Sequence, residues 1–137
     1  PSDANPAGNV FGGAILKHID MVAGIVAQRF SQTNAVTVSM DKISFLKPVF
    51  VGNVLFVKAQ VNYVQKSSME IEVNVEAEDI AKGTRVHTGN AYVTFVALDE
   101  NGKPTPVPML RIDNPEDQKR FDEGKLRMER RLKEREK

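Results

Sequence analysis

Apolar residues recur every three to four positions between Gly12 and Phe30, as they do along the buried face of an amphipathic helix. The stripe consists of Ile15, Ile19, Val22 and Val26, widened by Leu16, Ala23 and Ile25. Arg29 carries the positive charge that favours a helix C-terminus, and the polar residues 31–34 follow it. The pattern predicts one long helix with a buried apolar face.

Beyond this helix the hydrophobic period changes to two, which is typical of strands with one buried face. The alternation runs from Leu55 to Tyr63 and again from Met69 to Glu78. The connection at residues 65–68 is short enough for a hairpin. A later strand ends at a turn over residues 99–102, and its buried face is expected to carry Ala91, Val93, Phe95 and Ala97.

The strand that precedes these changes phase partway along. We expect one face to carry Val36, Val38 and Met40, whereas the later apolar positions are Ile43 and Phe45. One extra residue near Asp41 and Lys42 accounts for the change, because a β-bulge exchanges the side chains that face the core. The sequence therefore predicts a bulged strand here.

One apolar helix and four long strands favour an α+β fold, in which an antiparallel sheet wraps around a single long central helix. The run Asn-Pro-Glu-Asp at 114–117 supplies an N-cap, a proline at the first helical position and two acids, so an additional charged C-terminal helix should begin there. The very polar residues 125–137 are expected to be solvated or frayed. The predicted division is a domain over residues 1–112 and a charged helix or tail over 113–137.

Composition narrows the possible chemistry. The 137 residues include no cysteine, which excludes a disulfide framework, a thiolate nucleophile and a cysteine-based zinc site. Two histidines, His18 and His87, do not favour a His-rich metal centre, and no metal site is predicted. A net charge of +1 favours no nucleic-acid partner. With neither a secretion leader nor an apolar run of about 20 residues, a cytoplasmic protein without a membrane partner is expected.

The start of the first helix holds the most suggestive chemistry. Gly12 and Gly13 open it, where unpaired backbone N–H groups can bind an oxyanion and glycine admits a ligand close to the backbone. A helical wheel places Gly13, Asp20, Gly24 and Ala27 on one flank. Small residues there allow close approach by a substrate or by a second copy of the helix. Asp20 is the candidate carboxylate, and an ordinary surface aspartate is the alternative.

Several segments together resemble one known family. Residues 1–28, PSDANPAGNVFGGAILKHIDMVAGIVAQ, resemble the opening of the hotdog-fold acyl-CoA thioesterases. VSMDKISFLKPVFVGNVL, VNYVQKSSMEIEVNVEAED and AYVTFVALDENGKP are similar to later strands of that family in the same order. The resemblance extends from Pro1 to about Pro108 and leaves out the charged tail, and the family's usual first strand would precede Pro1.

The resemblance implies a catalytic assignment. Asp20 matches the family's catalytic carboxylate, Asn5 its active-site asparagine, and Gly13 the glycine whose amide polarises the thioester carbonyl. Asn5 and Asp20 would come from different subunits across a dimer interface. Asp20 would act either as a general base on water or as a nucleophile that forms a mixed anhydride. An oxyanion donor of this kind is worth about 100- to 1000-fold in turnover at other acyl-transfer sites.

The same resemblance implies the substrate and the assembly. Fatty acyl-CoA would be cleaved to free acid and CoA, with no cofactor, by homodimers that assemble into a trimer of dimers. The residues expected to bind substrate are Gly12, Lys66, Ser67 and Ser68, and an ordinary polar hairpin tip is the alternative for the last three. For the whole chain, the alternatives are a hotdog module that binds acyl-CoA without cleaving it and a nucleic-acid adaptor. The glutamates interleaved in the basic tail disfavour the adaptor.

Overall fold

A computed structural model describes residues 12–135, which form two helices and four strands. Their order is α1 (Gly12–Ser31), β1 (Asn34–Phe45), β2 (Val54–Gln65), β3 (Ser68–Asp79), β4 (Thr84–Leu98) and α2 (Pro115–Arg135). The strands form one antiparallel sheet in the order β1-β4-β3-β2, so the predicted α+β fold is confirmed. Neither helix in this part of the chain is long and apolar enough to cross a membrane.

One face of the sheet, here called the inner face, packs against α1. The core residues are Ile15, Ile19, Ala23 and Ala27 of α1 and, from the sheet, Met69, Ile71, Val73, Val75, Ala77, Ala91, Val93, Phe95 and Ala97. The predicted stripe is thus confirmed for most of its length. Val22 and Ile25 are the exceptions: Val22 is only half-buried and is not in the core cluster, and Ile25, on the side of α1 that faces away from the sheet, is 47% exposed.

The predicted hairpin and the predicted strand end are both present. β2 and β3 are joined by a two-residue turn at Lys66 and Ser67, with Lys66 at φ 53° in the left-handed region. β4 stops at a turn in which Asp99 Oδ1 accepts hydrogen bonds from the backbone N–H groups of Asn101 (2.8 Å) and Lys103 (3.0 Å).

The edge strand β1 contains two bulges rather than one. The bulge between Asp41 and Ser44, with Lys42 at φ 50°, confirms the predicted change of phase. A second register shift lies between Thr37 and Ser39, where the hydrophobic pattern predicts none.

The bulge at Val38 reverses which side chains face the core. Thr37 pairs with Phe95 on the inner face, whereas Ser39 pairs with Thr94 on the opposite, outer face, although only one residue separates them. In an unbulged strand, residues two apart share a face.

The expected grouping of Val36, Val38 and Met40 is therefore wrong. Met40 packs against the core, while Val36 and Val38 are 42% and 41% exposed. The physical reason is the extra residue, which shifts every later side chain to the other face.

The C-terminal helix α2 packs on the outer face. Asn114 Oδ1 accepts a hydrogen bond from the Asp117 N–H at 2.8 Å, which confirms the predicted N-cap. The helix continues to Arg135, so the expectation of fraying is wrong for residues 125–135. The expectation that they are solvated holds for most of them, because only Met128 is buried, Arg127 and Arg131 are half-buried and the others are exposed. Polar residues of the sheet give the helix partners, notably Glu70 for Arg127. The predicted division at residues 112 and 113 stays a prediction.

Candidate functional site

A carboxylate and a hydroxyl meet where α1 passes the edge strand. The hydroxyl of Thr37 donates a hydrogen bond to Asp20 Oδ1 at 2.8 Å. Both residues are exposed in the single chain. Among residues 12–135 no hydrogen bond engages Asp20 Oδ2, so the pair presents a carboxylate oxygen that can accept a proton from a water molecule.

The short connection between α1 and β1 brings these two residues together. Ser31 Oγ accepts hydrogen bonds from the N–H (3.3 Å) and the hydroxyl (3.0 Å) of Thr33, and Gln32 has φ 58°, so the chain reverses within two residues. β1 then runs back along α1. Because a residue advances the chain more than twice as far in a strand as in a helix, Thr37 soon reaches the level of Asp20.

Thr37 is a site residue that sequence reasoning missed. One sequence signal could have placed Thr37 near Asp20. The two residues lie at similar distances from the turn, one counted back along α1 and the other forward along β1. It could not be used, because the alternation assigned Val36 and Val38 to the inner face and therefore turned Thr37 away from α1. Only the bulge at Val38 turns the Thr37 side chain inwards.

The N-terminus of α1 is open to a ligand. A Cβ atom added at Gly13 would meet nothing within 4 Å in the described structure, so a ligand has room beside this backbone. The first turn contains no acidic residue that would compete for its N–H groups. Gly24 lies against the Phe95 ring, and Ala27 is fully buried. The predicted small-residue flank is therefore exposed at Gly13 and Asp20 and buried at Ala27.

The predicted CoA-side residues lie on the other face of the sheet. A groove of about 240 Å³ separates the β2–β3 hairpin from the last turns of α2. Its lining includes Lys66, Ser67, Ser68, Val38, Arg131 and Arg135. The structure thus brings the three hairpin residues together with α2 rather than with Asp20. Val38, which lines the groove, is the neighbour of Thr37 and so connects the groove with the Asp20–Thr37 pair.

Asn5, His18 and His87 remain from the sequence analysis. Asn5 lies outside the described residues, and its role stays a prediction. His18 and His87 are exposed, on α1 and β4 respectively. Within residues 12–135 no cluster of three or more His, Asp or Glu side chains could hold a metal ion.

Several known proteins that are similar to this chain are named as thioester hydrolases. Residues 7–84 match the model of the thioesterase superfamily. The cytosolic acyl coenzyme A thioester hydrolase of Rattus norvegicus is 41% identical over 129 residues, which are 93% of this chain and 34% of that protein. The chain therefore spans about a third of the length of this relative.

Solved structures are similar over almost the whole chain. An apo-hexameric acyl-CoA thioesterase is 34% identical with a TM-score of 0.93, covering 98% of this chain and 86% of that one. The acyl-CoA hydrolase of Staphylococcus aureus, solved with butyryl coenzyme A and coenzyme A, is 36% identical with a TM-score of 0.90, covering 98% and 82%. The hotdog fold that the resemblance implies is thereby confirmed.

The spacing of three residues also matches. Solved variants of the S. aureus protein replace an asparagine, an aspartate and a threonine by alanine. In that chain the aspartate follows the asparagine by 15 positions and the threonine follows the aspartate by 17. Asn5, Asp20 and Thr37 have the same separations.

Proposed function

The chain belongs to the thioesterase superfamily, and from this premise we propose that it hydrolyses acyl-CoA thioesters to a free acid and coenzyme A. The observation that carries the proposal is the 2.8 Å hydrogen bond from Thr37 to Asp20. It orients a carboxylate at an exposed position, and its two residues have the spacing of the aspartate and threonine replaced in the S. aureus hydrolase. The rat protein's name supports the same substrate class and a cytosolic location.

The proposed roles follow from the chemistry of a thioester. Asp20 takes a proton from water as the water oxygen bonds to the carbonyl carbon, and Thr37 holds the carboxylate in place. The backbone N–H of Gly13 stabilises the oxyanion of the tetrahedral intermediate. That intermediate collapses as the carbon–sulfur bond breaks, and the CoA sulfur leaves and is protonated. Asn5 orients the water or the carbonyl, and no metal or cofactor takes part.

We further propose that the site is completed by a second copy of the chain, which supplies Asn5, in a homodimer that assembles into a trimer of dimers. The similar hexameric thioesterase supports assembly of this kind. So does the outward side of α1, where Met21 and Ile25 are 55% and 47% exposed, because adjoining exposed apolar side chains are typical of contact surfaces. The proposed CoA contacts are Gly12 at the helix start and the groove beside Lys66, Ser67 and Ser68.

The decisive experiment measures release of free thiol from a series of acyl-CoA chain lengths. Asp20→Asn should lower turnover by about 100- to 10,000-fold, the usual contribution of a general base. Thr37→Val removes one hydrogen bond to a charged group and should lower turnover by about tenfold or more. His18→Asn is the matched control, since His18 is an exposed titratable residue of the same helix, and its turnover should be unchanged.

Two outcomes would contradict the proposal. Undiminished hydrolysis by Asp20→Asn would show that the Asp20 carboxylate is not the catalytic group. Tight binding of acyl-CoA by the unmodified protein with no turnover would favour the alternative, a hotdog module that binds without cleaving. If turnover in the presence of hydroxylamine converts the Asp20 carboxyl group to a hydroxamate, a mixed anhydride has formed there, and the nucleophile role replaces the general-base role for the same residue.

A further inference from the structure

A single arginine of α2 connects the helix to both strands at the β1 bulge. Arg131 Nη1 donates a hydrogen bond to Ser39 Oγ at 2.9 Å and another to Thr94 Oγ1. The Asp41 carboxylate lies 3.7 Å from the same nitrogen and accepts a hydrogen bond from Ser39 at 3.2 Å. The Arg131 side chain is only 17% exposed.

The position of these contacts matters more than their number. Ser39 and Thr94 are the cross-strand pair directly after the bulge, and Thr37 and Phe95 are the pair directly before it. If the extra residue moved along β1, either Ser39 would turn to the inner face or Thr37 would turn to the outer one. Arg131 opposes the first change, because it holds Ser39 on the outer face, and the hydrogen bond from Thr37 to Asp20 opposes the second. The first change would leave Thr37 on the inner face but would move the bulge away from it, and a bulge bends the strand and re-aims the side chains beside it.

The energetics also favour a role in specifying register. Arg131 Nε is buried and has no hydrogen-bond partner among the described residues. A partly satisfied buried charge is commonly no more stable than an apolar side chain of similar size, and fixing a register is the best-attested use of such groups. Methionine would pack more cheaply against the sheet but would leave the bulge free to move.

We propose that Arg131 is a positioning residue: from α2, through Ser39 and Thr94, it keeps the bulge directly after Thr37 and thereby sets the angle at which the Thr37 hydroxyl reaches Asp20. The consequence for catalysis rests on the proposed function, whereas the consequence for the bulge does not. The C-terminal helix is then part of the site although it lies on the opposite face of the sheet.

The test compares Arg131→Met with Arg130→Met in the full chain. Arg130 is an exposed neighbour on α2 that makes no hydrogen bond or ion pair within residues 12–135. Arg131→Met should lower kcat by about 10- to 100-fold with little change in KM, since small displacements of catalytic groups have effects of this size. Arg131→Lys should restore part of the loss, because an ammonium can still donate to Ser39. Arg130→Met should leave both constants unchanged.

Combination with Thr37→Val shows whether Arg131 acts through Thr37. The double variant should be no slower than Thr37→Val alone, because the hydroxyl that Arg131 positions is already gone. Losses that multiply would overturn the inference. A rise in KM at unchanged kcat would also overturn it, since Arg131 also lines the hairpin groove and would then be contacting substrate directly.

A spectroscopic measurement separates this inference from the proposed function. In NMR spectra, Arg131→Met should shift the amide signals of Thr37 and Val38, and Arg130→Met should not. If the protein hydrolyses no acyl-CoA but these shifts occur, the proposed function fails and the role in the bulge stands. If Arg131→Met does not move the two signals, the positioning role is wrong whatever the activity.

Discussion

The two faces of the sheet are covered by helices of opposite character. On the inner face α1 contributes aliphatic side chains to a core in which the buried residues are apolar. On the outer face the only apolar side chain that α2 buries is Met128, and Phe121 makes an edge-on contact with Tyr63. Ionic and polar contacts are added to these: Arg127 pairs with Glu70, and Arg131 contacts Ser39, Thr94 and Asp41.

This difference suggests that the inner face contributes mainly stability, whereas the outer face mainly determines how α2 is positioned. Apolar burial is non-directional and scales with area, so the inner face stabilises the fold without choosing one alignment. Hydrogen bonds and ion pairs weaken steeply outside a narrow range of distances and angles, so the outer face selects one position of α2. The site uses both, because Asp20 lies on the inner helix and the bulge that orients Thr37 is bound by the outer one.

The largest effect on the outer face is expected from Arg127→Met. Arg127 makes a two-point hydrogen bond to Glu70, at 2.9 and 2.7 Å, and its guanidinium lies 3.7 Å from the centre of the Tyr92 ring. Glu70 is only 4% exposed, so the variant strands a buried carboxylate. The free energy of unfolding in urea should fall by about 3–5 kcal/mol.

Two comparisons make this prediction specific. Lys125→Met, at an exposed position of the same helix, should change the stability by less than about 0.5 kcal/mol. The double variant Glu70→Leu/Arg127→Met should recover most of the loss, because a buried ion pair replaced by apolar groups is often neutral. A double variant as unstable as the single one would mean that the fit of the side chains, rather than the unpaired charge of Glu70, accounts for the loss.

A smaller effect is expected at Gly124, where α2 packs closely against the sheet. A Cβ atom there would lie 2.7 Å from Tyr63 Cβ and 3.0 Å from Glu70 Oε1. Alanine gains up to about 1 kcal/mol in helix propensity, but overpacking typically costs about 1–3 kcal/mol. Because Tyr63 Cβ is fixed to the strand backbone, we expect the clash to win and Gly124→Ala to lose about 1–2 kcal/mol.

The inner face offers the matched control for Gly124. A Cβ atom at Gly24 would lie 3.7 Å from the Phe95 ring, which is an ordinary contact. In thermal melts, Gly24→Ala should therefore leave the melting temperature unchanged or raise it, whereas Gly124→Ala should lower it. Equal losses in the two variants would contradict the contrast between a tolerant inner face and a closely fitted outer one.

The contrast also explains what the sequence could predict. A face buried against aliphatic residues leaves a regular period, so α1, β2, β3 and the end of β4 follow from the pattern. The bulge at Val38 leaves none, because an extra residue in a strand that is apolar on both sides has no signature of its own. Asp20 could be singled out by its flank and by resemblance, but Thr37 could not.

The charged second half of α2 was misjudged for a related reason. Whether Arg127 and Arg131 are solvated or buried depends on what faces them. Their partners come from β1, β3 and β4, between 37 and 92 residues earlier in the chain. No local pattern contains that information, so the sequence could not distinguish these two arginines from their exposed neighbours on α2.

The smallest expected effect is a loss of stability at alkaline pH that comes from two tyrosines of the outer face. Burial, and then the charge of Glu72, raise the pKa of Tyr92, and burial likewise raises the pKa of Tyr63. A raised pKa in the folded state means that the folded protein holds these phenol protons longer than the unfolded chain. The tyrosine contribution to stability should therefore be complete below about pH 10 and should fall as the pH rises through the folded pKa values.

Tyr92→Phe keeps the ring under Arg127 and should make the fall of the urea midpoint with pH shallower. Tyr92→Phe/Tyr63→Phe should remove the tyrosine contribution, since the chain has only two tyrosines. An unchanged slope in the double variant would mean that lysines, not the α2 contact, govern the alkaline limit.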